Sequence, residues 1–224
     1  NFMKVAPIIH EIIKKKNEGI SIDYSLVHTG QHYDNKMSSI FFEELNIPHP
    51  DINLNIGSGS HSEQVGKTMM AFEKVLQKEK PDWVVVVGDV NATLSCSVVA
   101  KKMHIKVCHI EAGLRSHDKT MPEEINRLVT DSISDLLLTP DIISTKNLKK
   151  EGVNDSNINF VGNIMIDSLD INIVKAKKIE INDIINNNLV NNQSANKNYN
   201  FDKNPFGILT MHRPSNVDCE NIFV

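Results

Sequence analysis

The sequence predicts an α/β protein, a Rossmann-like parallel sheet with helices on both faces. Three observations predict it. Segments of helical and strand period alternate from residue 4 to residue 161. The run Trp83-Val-Val-Val-Val87 is β-branched without interruption, as a strand covered on both faces is. Three apolar segments also end in polar groups, at Gln31 and His32, at Asp89 and at Glu111, and ligands of open parallel sheets gather at such strand ends.

In order, Val5, Ile8, Ile9, Ile12 and Ile13 have helical spacing over 4–16. Residues 20–27 read as a strand ending at His28-Thr-Gly-Gln-His32, and 36–45 as a helix. A helix over 60–80 opens with Ser60 and Glu63 at capping-box spacing and carries Val65, Met69, Phe72 and Leu76 on one face. The strand 83–87 ends in Gly88-Asp89, and 92–103 returns as a helix. The strand 105–110 then leads into His109-Ile-Glu-Ala-Gly-Leu-Arg115. Pro122 suits a first helical turn, and Ile125, Leu128, Val129, Ile133, Leu136 and Leu137 are expected as that helix's apolar stripe. A short strand over 136–139, a helix over 144–151 stopped by Gly152, and a strand over 158–161 complete the series.

Residues 1–180 are therefore read as one domain. Residues 181–204 are asparagine-rich with little apolar periodicity and read as a linker or insertion. Residues 205–224 read as the start of a second domain, a strand over 206–210 followed by Met211-His-Arg-Pro214. Because the chain begins without methionine and stops where a new helix opens, a fragment is expected.

The bulk numbers exclude some classes. The 224 residues carry a formal net charge of −4, with no basic run of the kind nucleic acids attract. Three widely spaced cysteines fit a reducing cytoplasm better than a disulfide framework. No apolar run approaches membrane-spanning length. Gly66-Lys67-Thr68 ends like a P-loop, but His61 stands where that loop needs glycine and the segment is helical. Gly57-Ser-Gly59 lacks the third glycine and the preceding buried strand of a dinucleotide fingerprint. None of the nine histidines has helical metal-ligand spacing, and His10, His49, His61 and His104 are expected on the surface or in loops. No metal or other cofactor is expected.

The richest passage sets Glu111, Glu123 and Glu124 beside His109, Arg115 and Arg127 within nineteen residues. Surface ion pairs would explain such a cluster if it stood alone. Asp89, however, directly follows a buried strand, where ionisation needs compensation or the side chain caps the next helix. Asp89 and Glu111 on neighbouring strand ends would couple, leaving one carboxyl to act as acid and the other as base. His212 and Arg213 after a strand form a plausible phosphate contact. Arg115 and Arg127 are expected to brace the carboxylates.

These motifs together resemble the non-hydrolysing UDP-N-acetylglucosamine 2-epimerase family. The resemblance rests on Asn1-Phe-Met-Lys-Val-Ala-Pro7, Thr29-Gly-Gln-His32, Gly88-Asp89, His109-Ile-Glu-Ala-Gly-Leu-Arg-Ser116, Pro122-Glu-Glu-Ile-Asn-Arg127, Val161-Gly-Asn163 with Asp167, and Thr210-Met-His-Arg213. It implies the N-terminal half of a two-domain GT-B-type enzyme, a homodimer, that interconverts UDP-GlcNAc and UDP-ManNAc without added cofactor. By resemblance Asp89, Glu111, Glu123 and His212 are catalytic, and Lys4, Gln31, His32 and Arg213 contact the nucleotide-sugar. The chain lacks the family's glycine-threonine-arginine-proline turn before Asn1 and the serine-glycine-glycine motif of the second domain. Ser215 also stands where many members carry glutamate.

Overall fold

The computed structural model describes residues 1–30 and 41–188, together with 207 and 209. The chain divides into two compact units, Asn1–Ile171 and Asn172–Val224. In the first unit all pairing is parallel, and the fold is α/β. Strands β3 (Trp83–Val87), β4 (Lys106–Ile110), β5 (Leu136–Thr139) and β6 (Ile158–Phe160) form one sheet in chain order. Strands β1 (Val27–His28) and β2 (Ile52–Asn53) form a separate pair.

Helix α1 (Phe2–Asn17) contains Pro7, which has no N–H to give the Met3 carbonyl one turn back. The Ser168 hydroxyl donates to that carbonyl instead. Helix α2 (His61–Glu79) opens on the capping box expected from sequence, with Ser60 and Glu63 each bonding the other's backbone N–H. Helix α3 (Asn91–Lys102) packs on α2. Phe72, Leu76, Val84, Val86, Cys96, Val99, Ala100 and Val107 close the largest core between these helices and the sheet. Helix α4 (Pro122–Ile133) begins on Pro122 as expected. Helix α5 (Ile142–Lys150) is capped by the Asp141 side chain, which accepts from the Ser144 N–H at 2.7 Å. Helices α6 (Ile164–Ala176) and α7 (Ile181–Asn188) complete the described elements, and α7 occupies the first part of the stretch read as a linker.

Three expectations are met only in part or fall partly outside the described residues. The strand expected over 20–27 narrows to Val27–His28, because only Ile52–Asn53 pairs with it. Just before it, the Asp51 carboxylate accepts the Leu26 N–H at 2.7 Å. Of the helix expected over 36–45, residues 41–44 are helical and 36–40 lie outside the described residues. Of the strand expected over 206–210, only 207 and 209 are described, and neither is in a strand.

Candidate active site

The ends of β3 and β4 carry the site. Val86 pairs with His109 and Val87 with Ile110, so the turns at Gly88-Asp89 and Glu111-Ala112 leave the sheet side by side. The Gly88 N–H donates to the Ile110 carbonyl at 3.1 Å, and the Glu111 N–H to the Leu138 carbonyl at 3.1 Å. Gly88 has φ 71°, and a Cβ built there would lie 3.4 Å from both Glu111 Oε2 and Lys4 Nζ. The positive φ, more than the space, is what favours glycine at this turn.

Glu111 itself holds φ 74°, a conformation costly for a side chain without glycine's freedom. Its carboxylate forms an ion pair with Lys4, which reaches in from the first turn of α1. Asp89 is 30% exposed on its side chain and is held by the Arg127 guanidinium. The Asn126 amide donates to the Asp89 carbonyl at 2.8 Å, and Asn91 joins Asn126 to Gln64 and His61. His61 is exposed, as expected, and its ring bonds the Asn91 side chain beside the Asp89 turn.

Helix α4 overturns the expectation of an apolar buried stripe. It buries Glu124, Asn126, Arg127, Thr130 and Asp131 and leaves Ile125 48% exposed. The buried charges persist because each meets opposite charge and hydrogen-bond donors. Glu124 accepts from the Ser116 and His117 N–H groups, both at 3.0 Å, and from Arg127 at 2.8 Å. Burial opposes its charge, but the Ser116 amide, the Arg127 guanidinium and the His117 amide outweigh that and bring its carboxyl down to about 2. Asp131 accepts from the Gly113 N–H at 3.0 Å and from Arg115 at 2.7 Å, and Arg115 forks onto Glu151 at 2.8 and 2.6 Å.

Of the expected site residues, Lys4 and Glu111 form an ion pair, and Asp89 stands on the adjoining strand end. Glu123 is exposed in the first turn of α4, and its side chain has no hydrogen bond or ion pair among the described residues. Gln31, His32, His212 and Arg213 lie outside the described residues. Arg127 braces Asp89 as expected, but Arg115 braces Asp131 and Glu151 instead of the candidate catalytic carboxylates. The residues missed from sequence are Asn91, Asn126 and Asp131, and Glu124 was named in the charged passage without its buried role. Glu124, Arg127 and Asp131 sit at spacings of three and four on one helix face, which was the available signal.

A parallel α/β sheet that brings two carboxylates and a lysine to adjoining strand ends has the architecture of an enzyme acting on a polar ligand. Comparison with known proteins makes this specific. The family model described as UDP-N-acetylglucosamine 2-epimerase matches residues 14–223, and the chain belongs to that family. It is 47% identical over 216 residues to the UDP-N-acetylglucosamine 2-epimerase of Methanocaldococcus jannaschii, covering 96% of this chain and 55% of that protein. It is 45% identical over 169 residues to the UDP-2,3-diacetamido-2,3-dideoxy-D-glucuronate 2-epimerase of Pseudomonas aeruginosa, covering 75% of this chain and 47% of that protein. The crystal structure of the Methanocaldococcus jannaschii enzyme in complex with UDP-GlcNAc and UDP superposes with a TM-score of 0.77 at 49% identity, over 83% of this chain and 50% of that one. The chain spans about half the length of the curated relatives it matches.

Proposed function

We propose that the full-length protein interconverts UDP-GlcNAc and UDP-ManNAc by eliminating UDP and adding it back, supplying ManNAc units for surface polysaccharide. The observation that carries this reading is the placement of Asp89 and of the Glu111–Lys4 ion pair at adjoining strand ends in a chain of this family. The full protein is read as a cytoplasmic homodimer of GT-B type. Residues 1–180 form its N-terminal domain, 181–204 a linker, and 205–224 the opening of the nucleotide-binding domain. Among the described residues, no helix is long and apolar enough to cross a membrane.

The hydrogen on carbon 2 of the sugar has no neighbouring carbonyl, so a carboxylate cannot remove it from the intact substrate. Breaking the bond from carbon 1 to the UDP oxygen sends the electron pair to UDP and leaves an oxocarbenium-like ring. The carbon 2 proton then passes to a carboxylate, and a carbon 1–carbon 2 double bond forms. Asp89, held by the Arg127 guanidinium, faces the developing positive charge, while Glu111 takes the proton. Glu123, at the start of α4, is the third carboxylate assigned to proton transfer. Lys4, together with His212 and Arg213, receives the departing diphosphate, with Gln31 and His32 holding the nucleotide-sugar. Protonation from the other face and return of UDP to carbon 1 give the epimer.

The test is incubation of the full-length protein with UDP-GlcNAc in deuterated water, followed by NMR. The expected product is UDP-ManNAc carrying deuterium at carbon 2. Release of free ManNAc would establish the hydrolysing reaction instead, and binding without deuterium incorporation would leave only a nucleotide-sugar-binding protein. The 45% identity to the diacetamido-glucuronate epimerase favours a second reading, in which the sugar carries an acetamido group at carbon 3 and a carboxylate at carbon 6. Running both sugars in parallel separates the two by kcat/KM.

A further inference from the structure

His109 is fully buried, and both of its ring nitrogens have partners. Nδ1 lies 2.6 Å from Asp131 Oδ1, and Nε2 lies 2.8 Å from the Gly88 carbonyl oxygen. A carbonyl oxygen can only accept. Asp131 faces the ring as a carboxylate, because the Arg115 guanidinium and the Gly113 N–H both donate to its other oxygen and favour the anion. A neutral imidazole has one donor and one acceptor nitrogen, so either tautomer would set an acceptor against an acceptor. Two donors satisfy both contacts, and they require the imidazolium.

Charge balance permits this. Asp131, His109 and Arg115 have side chains at most 1% exposed, and Arg115 continues onto Glu151, whose side chain is 38% exposed. With His109 protonated, two carboxylates face two cations. The assignment itself rests on the two acceptors that face the ring.

The two bonds reach different halves of the site. Gly88 directly precedes Asp89, and its carbonyl is fixed by Nε2. Asp131, fixed by Nδ1, holds the Gly113 N–H two residues after Glu111. We propose that His109, as a buried imidazolium, is a positioning residue that locks the Asp89 turn and the Glu111 turn into one register. This rests on the reading of Asp89 and Glu111 as the working carboxylates.

Histidine-selective ¹⁵N labelling of the full-length protein tests the charge directly. At about pH 8 an ordinary histidine, with a pKa near 6.5, is neutral. One histidine with protons on both ring nitrogens is expected there, and it disappears in His109→Asn. A neutral ring at position 109 overturns the proposal, whatever the enzyme's activity. The kinetic arm uses two variants. His109→Asn keeps a donor near Asp131 but falls short of the Gly88 carbonyl, whereas the longer His109→Gln reaches it. In the folded His109→Asn protein, kcat is expected to fall by about a hundred-fold, the scale of a small misplacement of reacting groups, with KM little changed. His109→Gln recovers part of the loss. Two folded variants with wild-type kcat, or with equal losses, overturn the positioning role. If neither folds, the ring protonation alone decides. A wild-type protein without turnover would overturn the epimerase reading and leave the result on the ring standing.

Discussion

Glu111 sits at φ 74°, pinned by Lys4 from one side and by its own strand-end amide from the other. Such a residue spends folding energy on a fixed carboxylate position. Glu111→Gln keeps the size and the backbone but removes the base, and it should lower deuterium exchange at carbon 2 by about 10²–10⁴-fold with the melting temperature nearly unchanged. Undiminished exchange would remove Glu111 from the mechanism. Glu124 performs no chemistry in this scheme, yet it is the titrating residue whose removal should be felt most in acid. Its carboxyl is lowered from 4.5 to about 2 in the fold. Its stabilisation is therefore fully present above pH 4.5 and is lost as pH falls toward 2. That shift corresponds to about 3 kcal/mol. Urea unfolding should show the wild type losing about that much more than Glu124→Gln between neutral pH and about pH 2. Parallel pH profiles for the two proteins would refute the assignment.

At the scale of elements, backbone junctions matter more than apolar area. The Gly113 turn is pressed against α5 so closely that a Cβ there would meet the Ser144 carbonyl oxygen at 2.4 Å, at φ 83°. Backbone cannot step aside as a flexible side chain can, so Gly113→Ala should cost about 3 kcal/mol or more in chemical denaturation. A loss below about 1 kcal/mol would mean that α5 shifts freely. The contact between α1 and α6 is subtler. Ser168→Ala strands the Met3 carbonyl that Pro7 leaves without a helical donor, at a cost of about 1 kcal/mol. In a Pro7→Ala background the helix supplies its own N–H, so the cost of Ser168→Ala should shrink, and strict additivity of the two changes would dismiss the pairing. These junctions explain what the sequence could and could not convey. Strands β3 and β4 and the Pro122 start were legible because β-branched runs and proline act locally. Strand β2 was not, since Ile52–Asn53 is a strand only because Val27–His28 lies beside it. Likewise Glu123 and Glu124 are indistinguishable in composition. Successive helical residues point about 100° apart, and only packing shows that Glu124 faces Arg127 while Glu123 faces out.

The charge carried by the whole site decides what it can hold. Asp89, Glu111, Glu124, Asp131 and Glu151 are balanced by Lys4, Arg115 and Arg127, with His109 as the proposed fourth cation, so carboxylates outnumber cations. Moreover, each of these cations already faces a carboxylate. In the proposed reaction such a surface suits a ring developing positive charge, but it repels the diphosphate that would leave and return. Further donors must come from elsewhere, and His212 and Arg213 are the expected ones in this chain. The chain covers 55% of the Methanocaldococcus jannaschii relative, and a protein of that length would bring contacts beyond these. A protein of residues 1–224 alone should therefore bind UDP at least about a hundred-fold more weakly than the full-length protein by calorimetry, a loss of about 2.7 kcal/mol. It should also form no detectable UDP-ManNAc. Removing both cations from the full-length protein, as His212→Ala with Arg213→Ala, should weaken UDP binding and steepen the loss of turnover, because departure of UDP depends on the same contacts. Equal UDP affinity in the 224-residue and full-length proteins would refute this division of labour. The carboxylate wall would then have to hold the diphosphate itself, by turning Lys4 away from Glu111.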